Sequence, residues 1–419
     1  MNEHLPQFGV RRPYDPFLDP LDAILADIAI NCQLPPGLFA KATDRYEAVR
    51  TYIERPGSPL AGKVMCFYPQ GSMAIDATIS TRGTDDEYDL DIVAELDIPE
   101  WMTPSQALDV LEEALKDYPV QAVERHTRCI TLRYADHMHL DITPSRRLKT
   151  PKDRESVIFH AKKSETPDNH KSVPTNAWAF GHWYHGRTPT EERFALALNQ
   201  RLYESAGLAF KADADVHDVP EQAPLIIKSV TTVALQLIKR FRNILYSSAS
   251  GRIPPSVMLS CHAGHAASPG MSLSAMVIRQ ARWTARAIDE AARAGRLIDV
   301  RNPEWREDCF TDRWPETPAQ QAHFAHALHD LANGLEAIKH GNVQLEDLRD
   351  WLRDYFGERV VSRSLKTFND RAGRAIRSSS QAYTGSGGLF VPAAPAIVGA
   401  VSAVSPVAAR AHTNMGERR

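Results

Sequence analysis

Apolar positions along the chain change their spacing twice. The opening is helical: Asp19-Pro20 offers an N-cap and a first-turn proline, and Leu21, Ile24, Leu25 and Ile28 follow at helical spacing. A second helix is predicted over 36–53, with Tyr46, Val49 and Ile53 on one face, before the Gly/Pro-rich RPGSPLAGK breaks the period. From Lys63 the spacing becomes that of strands, KVMCFYP and then YDLDIVAEL. Thr103-Pro104 starts a helix with Leu108, Leu111 and Leu115 facing inwards. VQAVER, CITLRY and HMHLDIT are further strands, the last two joined by a tight turn at Ala135-Asp136. The pattern predicts a small mixed sheet with a helix laid on it.

After about residue 165 helical spacing returns. The clearest helix is predicted over 224–246, with Ile226, Val230, Val233, Leu237, Phe241 and Ile244 as its apolar stripe. Others are expected over 272–294, 317–340 and 344–356, with Gly295, Gly341 and Gly357 where C-caps belong. The end changes character: RSSSQAYTGSGG is linker-like, and the apolar run after it is interrupted by Pro392, Pro395, Gly399 and Pro406. That argues against both a stable helix and a membrane span. No internal repeat is visible.

Composition narrows the class. At 419 residues, 43% hydrophobic and 24% charged, the chain reads as a soluble globular protein with room for two or three domains. A formal net charge of −3 disfavours non-specific coating of nucleic acid, so no strong nucleic-acid binding is predicted and any polyanion site must be a local basic pocket. The five cysteines are scattered, without a CxxC pair, as expected in a reducing compartment. MNEHLPQFGVRR has no apolar signal region, and a cytoplasmic location is the expectation.

Against this background residues 70–96, QGSMAIDATISTRGTDDEYDLDIVAEL, carry unusual chemistry. Strand side chains alternate, so Asp89 and Asp91 share a face while Tyr88, Leu90 and Ile92 pack on the other. Two such charges raise each other's pKa unless a cation sits between them. Mg²⁺ takes carboxylate oxygens of this kind together with substrate phosphates. Asp141, in HLDITPS, lies on a strand that a hairpin returns to the sheet and would complete a two-metal site. Gly71-Ser72 precedes MAIDATI, which is predicted to begin a short helix whose N–H groups meet phosphate, with the Ser72 hydroxyl as a further donor.

Each part has a plainer reading. A Gly-Ser pair is common, Asp85, Asp86 and Glu87 extend the acidity into what would be a solvated edge, and Asp141 would serve as a turn cap before Pro144. The conjunction in sequence order favours a nucleoside-triphosphate site where a hydroxyl attacks in line. Two other constellations were weighed. His137, His139 and Asp141 resemble the start of a metallo-hydrolase motif but lack the His directly after the Asp, and Cys261, His262 and His265 lack a fourth zinc ligand nearby.

YPQGSMAI, EYDLDIVAEL and HLDITPS together resemble the polymerase-β-like nucleotidyltransferase superfamily. Within it they are most similar to the cGAS/DncV-like nucleotidyltransferases, bacterial cyclic-oligonucleotide synthases of CBASS antiphage defence. TNAWAFGHWYHGRTP, LQLIKRFRN with IPPSVMLS, and NPEWREDCFTDRW support that branch, and the likeness spans about residues 60–315. It implies an α+β fold: a polymerase-β-like core plus a C-terminal helical domain of the oligoadenylate-synthase type. The expected division is 1–58 as N-terminal helices on the helical domain, 59–165 as the core, 166–375 as the helical domain and 376–419 as a flexible tail. Carried over by residue, Asp89, Asp91 and Asp141 become catalytic ligands of two Mg²⁺ ions, with Mn²⁺ as a substitute. Gln70, Gly71 and Ser72 would hold the donor triphosphate, Lys239 would meet its outer phosphates and Ser256 would sit near the donor nucleotide. The zinc-binding insertion of cGAS is missing, so activation by double-stranded DNA is not implied.

The implied function is synthesis of a cyclic di- or trinucleotide from NTPs with release of pyrophosphate. An effector that senses the product, and a regulatory partner protein, come with the resemblance. Same-fold alternatives are a template-independent RNA-end nucleotidyltransferase and an AMP-transferring enzyme. The non-enzymatic alternative is an inactive nucleotide-binding scaffold, disfavoured because unneeded buried carboxylates are costly. Lys239, Arg240 and Arg242 lie off the apolar stripe of their helix, where charges normally face solvent, and only the resemblance singles out Lys239. Arg146, Arg147, Lys149, Lys152 and Arg154 are left between two readings, phosphate contacts at the rim or a solubilised loop. Trp178, Trp183 and Tyr184 are expected to be core.

Overall fold

A computed structural model describes residues 15–148, 154–212, 227–341, 345–377, 381–383 and 390–392. Two helices come first, α1 (Pro20–Cys32) and α2 (Pro36–Ile53). A mixed region follows: β1 (Val64–Pro69), β2 (Tyr88–Leu96), α3 (Pro104–Ala114), β3 (Ala122–Arg125), β4 (Ile130–Arg133), β5 (Met138–Arg147), β6 (Ser156–His160) and β7 (Lys171–Thr175). The remainder is helical apart from short hairpins: α4 (Ala177–Arg187), α5 (Glu192–Ala212), α6 (Val230–Leu245), α7 (Ser256–Ala266), α8 (Leu273–Arg293), β8 (Arg301–Asn302), β9 (Trp305–Cys309), α9 (Pro318–Lys339), α10 (Leu345–Phe356) and α11 (Glu358–Arg377), then β10 (Gln381–Tyr383) paired with β11 (Phe390–Pro392).

The sheet runs β1-β2-β5-β4-β3, with β6 joining β5 and β7 joining β6. Only β2 and β5 pair in parallel, and the register sets Asp91 opposite Asp141 and Asp89 opposite His139. The connection between them carries α3, as a parallel crossover requires. Thr103 and Gln106 close a reciprocal capping box at the start of α3, and Leu108 and Leu111 face the sheet. Strand β5 runs four residues past the predicted HMHLDIT, because it changes partner from β4 to β6. Pro144 sits at the changeover.

Two hydrophobic cores result, one against the sheet and one inside the helices. The N-terminal helices divide between them, which corrects the expectation that both lie on the helical domain. Helix α1 is buried on nearly all sides among α5, α6, α8 and α11. Its two internal acids have partners there: Asp22 accepts from the Ser274 N–H at 2.6 Å and Asp27 takes the Arg371 guanidinium at 2.6 Å. Helix α2 instead sends Ala42, Val49 and Ile53 into the core beneath the sheet, since only one of its faces is apolar and that face meets β1 and α3.

Helix α6 begins six residues later than predicted, at Val230, where Ser229 accepts from the Thr232 N–H as N-cap. Residues 224–226 of the prediction lie outside the described residues, as does most of the expected flexible tail. Lys239, Arg240 and Arg242 are also not solvated surface: they are only 4%, 3% and 6% exposed. The reason is that α6 is covered on its polar side by residues 77–85. Gln236 donates to the Thr78 carbonyl at 3.0 Å, Lys239 to Ala77 at 2.7 Å, and Asn243 to Ser80 at 3.2 Å. Arg240 reaches Asp85 at 2.6 Å and the Phe356 carbonyl at 2.8 Å. The helix is thereby fastened to the segment linking the Gly-Ser turn with β2.

Candidate active site

A cleft of about 650 Å³ opens between the sheet and the helices. Gln70, Gly71, Ser72, Asp89, Asp91 and Asp141 line one wall, and Lys239 and Ser256 line the other. The residues expected to hold metal and donor nucleotide therefore face one space.

The Gly-Ser turn leaves β1 and folds over β2. The Gln70 N–H donates to the Asp91 carbonyl at 2.9 Å and its side-chain amide to the Thr143 hydroxyl at 3.1 Å. Gly71 has φ +58°, and a Cβ there would come within 2.5 Å of Asp91 Oδ2. Glycine is needed both for the left-handed backbone and for the approach of the turn to the carboxylate. The expected short helix is one 3₁₀ turn, Met73–Ile75, too short to add a sizeable dipole. Phosphate contacts from this wall would come from backbone N–H groups and from Ser72, whose hydroxyl already meets that of Thr78 at 3.2 Å.

The three carboxylates differ in their surroundings. Asp141 accepts a short hydrogen bond from the Thr131 hydroxyl of β4. Asp89, with 52% of its side chain exposed, meets His139 Nδ1 at 3.0 Å. Loss of solvation and the Asp141 charge push Asp89 above its usual range, and His139 works against them. Asp91 has no hydrogen-bond donor to its carboxylate among the described residues. Burial, then the charges of Asp141 and Asp89, push it up to about 8.

The facing wall holds the converse group. Burial and the neighbouring Arg242 bring the Lys239 ammonium down to about 7, against the pull of Asp91. Arg242 also fixes Ser256, the first residue of α7, by donating to its hydroxyl at 2.9 Å and to the Pro254 carbonyl at 2.9 Å. A half-buried carboxylate and a buried amine, each short of charge compensation, suit a ligand that brings a cation and an anion together.

Among the described residues, no three His, Cys, Asp or Glu side chains already converge as a finished metal cage. That holds alike for Cys261–His265, for His137–Asp141 and for the three aspartates as they stand. The aspartates nevertheless suit a hard divalent ion in kind and register: all-oxygen donors on adjacent strands, one of them pushed towards protonation by loss of solvation and by the other two charges.

Several cleft residues were given no individual site role by the sequence reading. Arg82, Arg128, Arg242, Arg252 and Arg313 line it, with Phe180, Phe310 and Trp314 as its apolar part. They come from six separate stretches, and no local pattern joins them. Arg128 of the β3–β4 turn forms a short ion pair with Asp312 across the mouth. The β8–β9 hairpin is locked to the start of α4, where the Asn176 N–H donates to Asp308 at 2.8 Å and Asn302 donates to the Asn176 carbonyl at 2.9 Å. Of the basic cluster after Asp141, the described residues Arg146, Arg147 and Arg154 do not line the cleft. Arg147 pairs with Glu95, Arg146 donates to the Pro99 and Glu100 carbonyls, and Arg154 lies 4.0 Å over the Trp178 ring; Lys149 and Lys152 lie outside the described residues. Tyr184 is fully buried, and Trp183 packs against the helical core as expected.

Comparison with known proteins accords with this geometry. Residues 65–144 match the family model described as the nucleotidyltransferase domain of cyclic GMP-AMP synthase DncV-like proteins. The chain is 69% identical over 408 residues to the cyclic dinucleotide synthase CdnG of Bradyrhizobium diazoefficiens, covering 97% of each chain. A solved structure of the Bradyrhizobium diazoefficiens CD-NTase CdnG in complex with GTP superposes with a TM-score of 0.77 at 68% identity, covering 85% of this chain and all of that one. The fold is shared with CdnC of Escherichia coli MS115-1, solved with ATP, at a TM-score of 0.52 and 12% identity, over 80% of this chain and 97% of that one. With a relative this similar along nearly its whole length, the chain belongs to the cGAS/DncV-like nucleotidyltransferase family.

Proposed function

We propose that this protein joins nucleoside triphosphates into a cyclic di- or trinucleotide signal, releasing pyrophosphate, as the synthase of a CBASS antiphage system. The observation that carries the reading is the register of β2 on β5: it stacks Asp91 against Asp141, with Asp89 beside them, under a glycine turn and opposite Lys239. The 69% identical cyclic dinucleotide synthase and the GTP complex of CdnG support the same substrate class.

In this reading Asp89, Asp91 and Asp141 would hold two Mg²⁺ ions, or Mn²⁺ in their place. Such ions, when bound, neutralise the triphosphate and acidify the acceptor ribose hydroxyl. Gly71 and Ser72 take the donor triphosphate along the turn, and Gln70 keeps that turn fixed to β2 and β5. Lys239 gains its full charge against the outer phosphates, and Arg242 holds Ser256 beside the donor. Asp141 keeps one oxygen on Thr131 and turns the other towards the acceptor hydroxyl, to take its proton as the α-phosphorus is attacked in line. The sheet with α2 and α3 acts as the catalytic lobe, and the helices from α4 onwards, joined by α1, as the lobe that closes it. An effector reading the product, and a regulatory partner protein, belong to the same proposal. Among the described residues no helix is long and apolar enough to cross a membrane.

The test is incubation of the purified protein with labelled NTPs and Mg²⁺ or Mn²⁺. Small phosphatase-resistant products that vanish in Asp89→Asn and Asp91→Asn are expected. Label appearing only on added RNA or protein would instead select an end-transferase or an AMP-transferring enzyme.

A further inference from the structure

Asp89 is the most exposed of the three carboxylates, and a carboxylate on a strand face can turn about its side-chain bonds. Its orientation in this structure is tied to a chain of side chains running away from the cleft. Asp89 Oδ1 lies 3.0 Å from His139 Nδ1, and His139 Nε2 lies 3.0 Å from Arg133 Nη1. Arg133 in turn donates through Nε to Glu124 at 2.8 Å. Register builds the first two steps, since His139 on β5 stands opposite both Asp89 on β2 and Arg133 on β4; Glu124 on β3 is paired with Thr131 and reaches Arg133 diagonally.

A guanidinium has five N–H donors and no acceptor, so the imidazole nitrogen facing Arg133 must present its lone pair. That leaves the ring proton on Nδ1, aimed at Asp89. A ring protonated on Nε2 would set N–H against N–H on one side and a lone pair against a carboxylate oxygen on the other. The Glu124 contact keeps the guanidinium in place, so the tautomer is decided two strands away from the carboxylate it serves.

We propose that His139 is a positioning residue for the reaction, locked by Arg133 and Glu124 in its Nδ1–H tautomer so that it holds one oxygen of Asp89 and leaves the other for the cation. The proposal rests on the reading of Asp89 as a metal ligand. Groups that orient a ligating side chain in this way are worth about 10- to 100-fold in metal affinity or activity. Nothing in the family motif of Gly-Ser, paired aspartates and a third aspartate calls for a histidine at this position.

The amide nitrogen of asparagine occupies the place of imidazole Nδ1, whereas that of glutamine reaches the place of Nε2. The expected order of activity is therefore wild type, then His139→Asn within about threefold, with His139→Gln and His139→Ala lower by about 10- to 100-fold and needing more Mg²⁺ for half-saturation. A second readout does not involve turnover: ¹⁵N correlation spectra of the metal-free protein should show His139 as the Nδ1–H tautomer, shifting to a mixture in Arg133→Met. His139→Gln matching or exceeding His139→Asn would overturn the proposal, as would an Nε2–H ring in the wild type. Should Asp89→Asn keep full activity while the tautomer is as described, the metal-ligand reading of Asp89 fails and the hydrogen-bond relay stands.

Discussion

Gly71 has two separate reasons to lack a side chain. Its φ of +58° costs an L residue about 1–2 kcal/mol, and an added methyl would collide with Asp91 Oδ2. Gly71→Ala should thus lower thermal stability modestly but displace the carboxylate, and a shift of about 1 Å near reacting groups costs on the order of 100-fold in rate. Parallel melting and turnover measurements separate the two effects. Asp91 gives a pH prediction. Its folded value of about 8 lies above the unfolded 3.8, so the native state binds the extra proton between those limits. Its stabilising contribution is whole below pH 3.8 and is lost as pH rises to about 8. Asparagine does not ionise. Metal-free Asp91→Asn should therefore gain in melting temperature relative to wild type as pH goes from 5 to 9, while losing all activity. The Gly-Ser pair and the DxD spacing were visible in the sequence because strand alternation is local. The full upward shift of Asp91 was not, because it depends most on loss of solvation in the fold and then on Asp141, fifty positions on.

At the scale of elements, α6 shows why a stripe of apolar residues is an incomplete description. Val230, Val233, Leu237 and Phe241 do enter the core as their spacing predicts. The opposite face, read from sequence as ordinary solvated charge, is buried instead under residues 77–85, and each polar side chain there finds a backbone carbonyl or a carboxylate. Hydropathy reports which residues avoid water; it does not report which polar residues have been given other partners. Arg240→Ala would leave Asp85 and the Phe356 carbonyl without their donor in a closed space, and loss of one member of such a pair costs about 3–5 kcal/mol. Chemical denaturation should show that loss, whereas Arg286→Ala, on an exposed turn of α8, should stay within about 0.5 kcal/mol of wild type.

Across the whole molecule, the cleft exists because two independently cored lobes face each other. The Arg128–Asp312 pair bridges them at the mouth, with side chains 19% and 23% exposed. Partly solvated pairs of this kind contribute little to folding, about 0–1 kcal/mol. Arg128→Ala should therefore leave the denaturation midpoint nearly unchanged while raising KM for NTP several-fold, read from initial rates at varied NTP. An equal loss in kcat with KM unchanged would show that the pair serves chemistry rather than closure.

By itself the chain determined its class, the succession from helices to a mixed sheet and back to helices, and the three acids with their glycine turn. All of these rest on periodicities of two or 3.6 residues and on a motif whose parts keep their order. The tertiary structure decided the rest: that α1 and α2 part to different cores, that the arginines of the cleft come from the segment before β2, the β3–β4 turn, α6 and the loops near residues 250 and 313, and that Arg146, Arg147 and Arg154 turn away. Convergence of distant segments is set by which faces pack and which charges can be compensated once water is excluded, and neither quantity is written in local spacing.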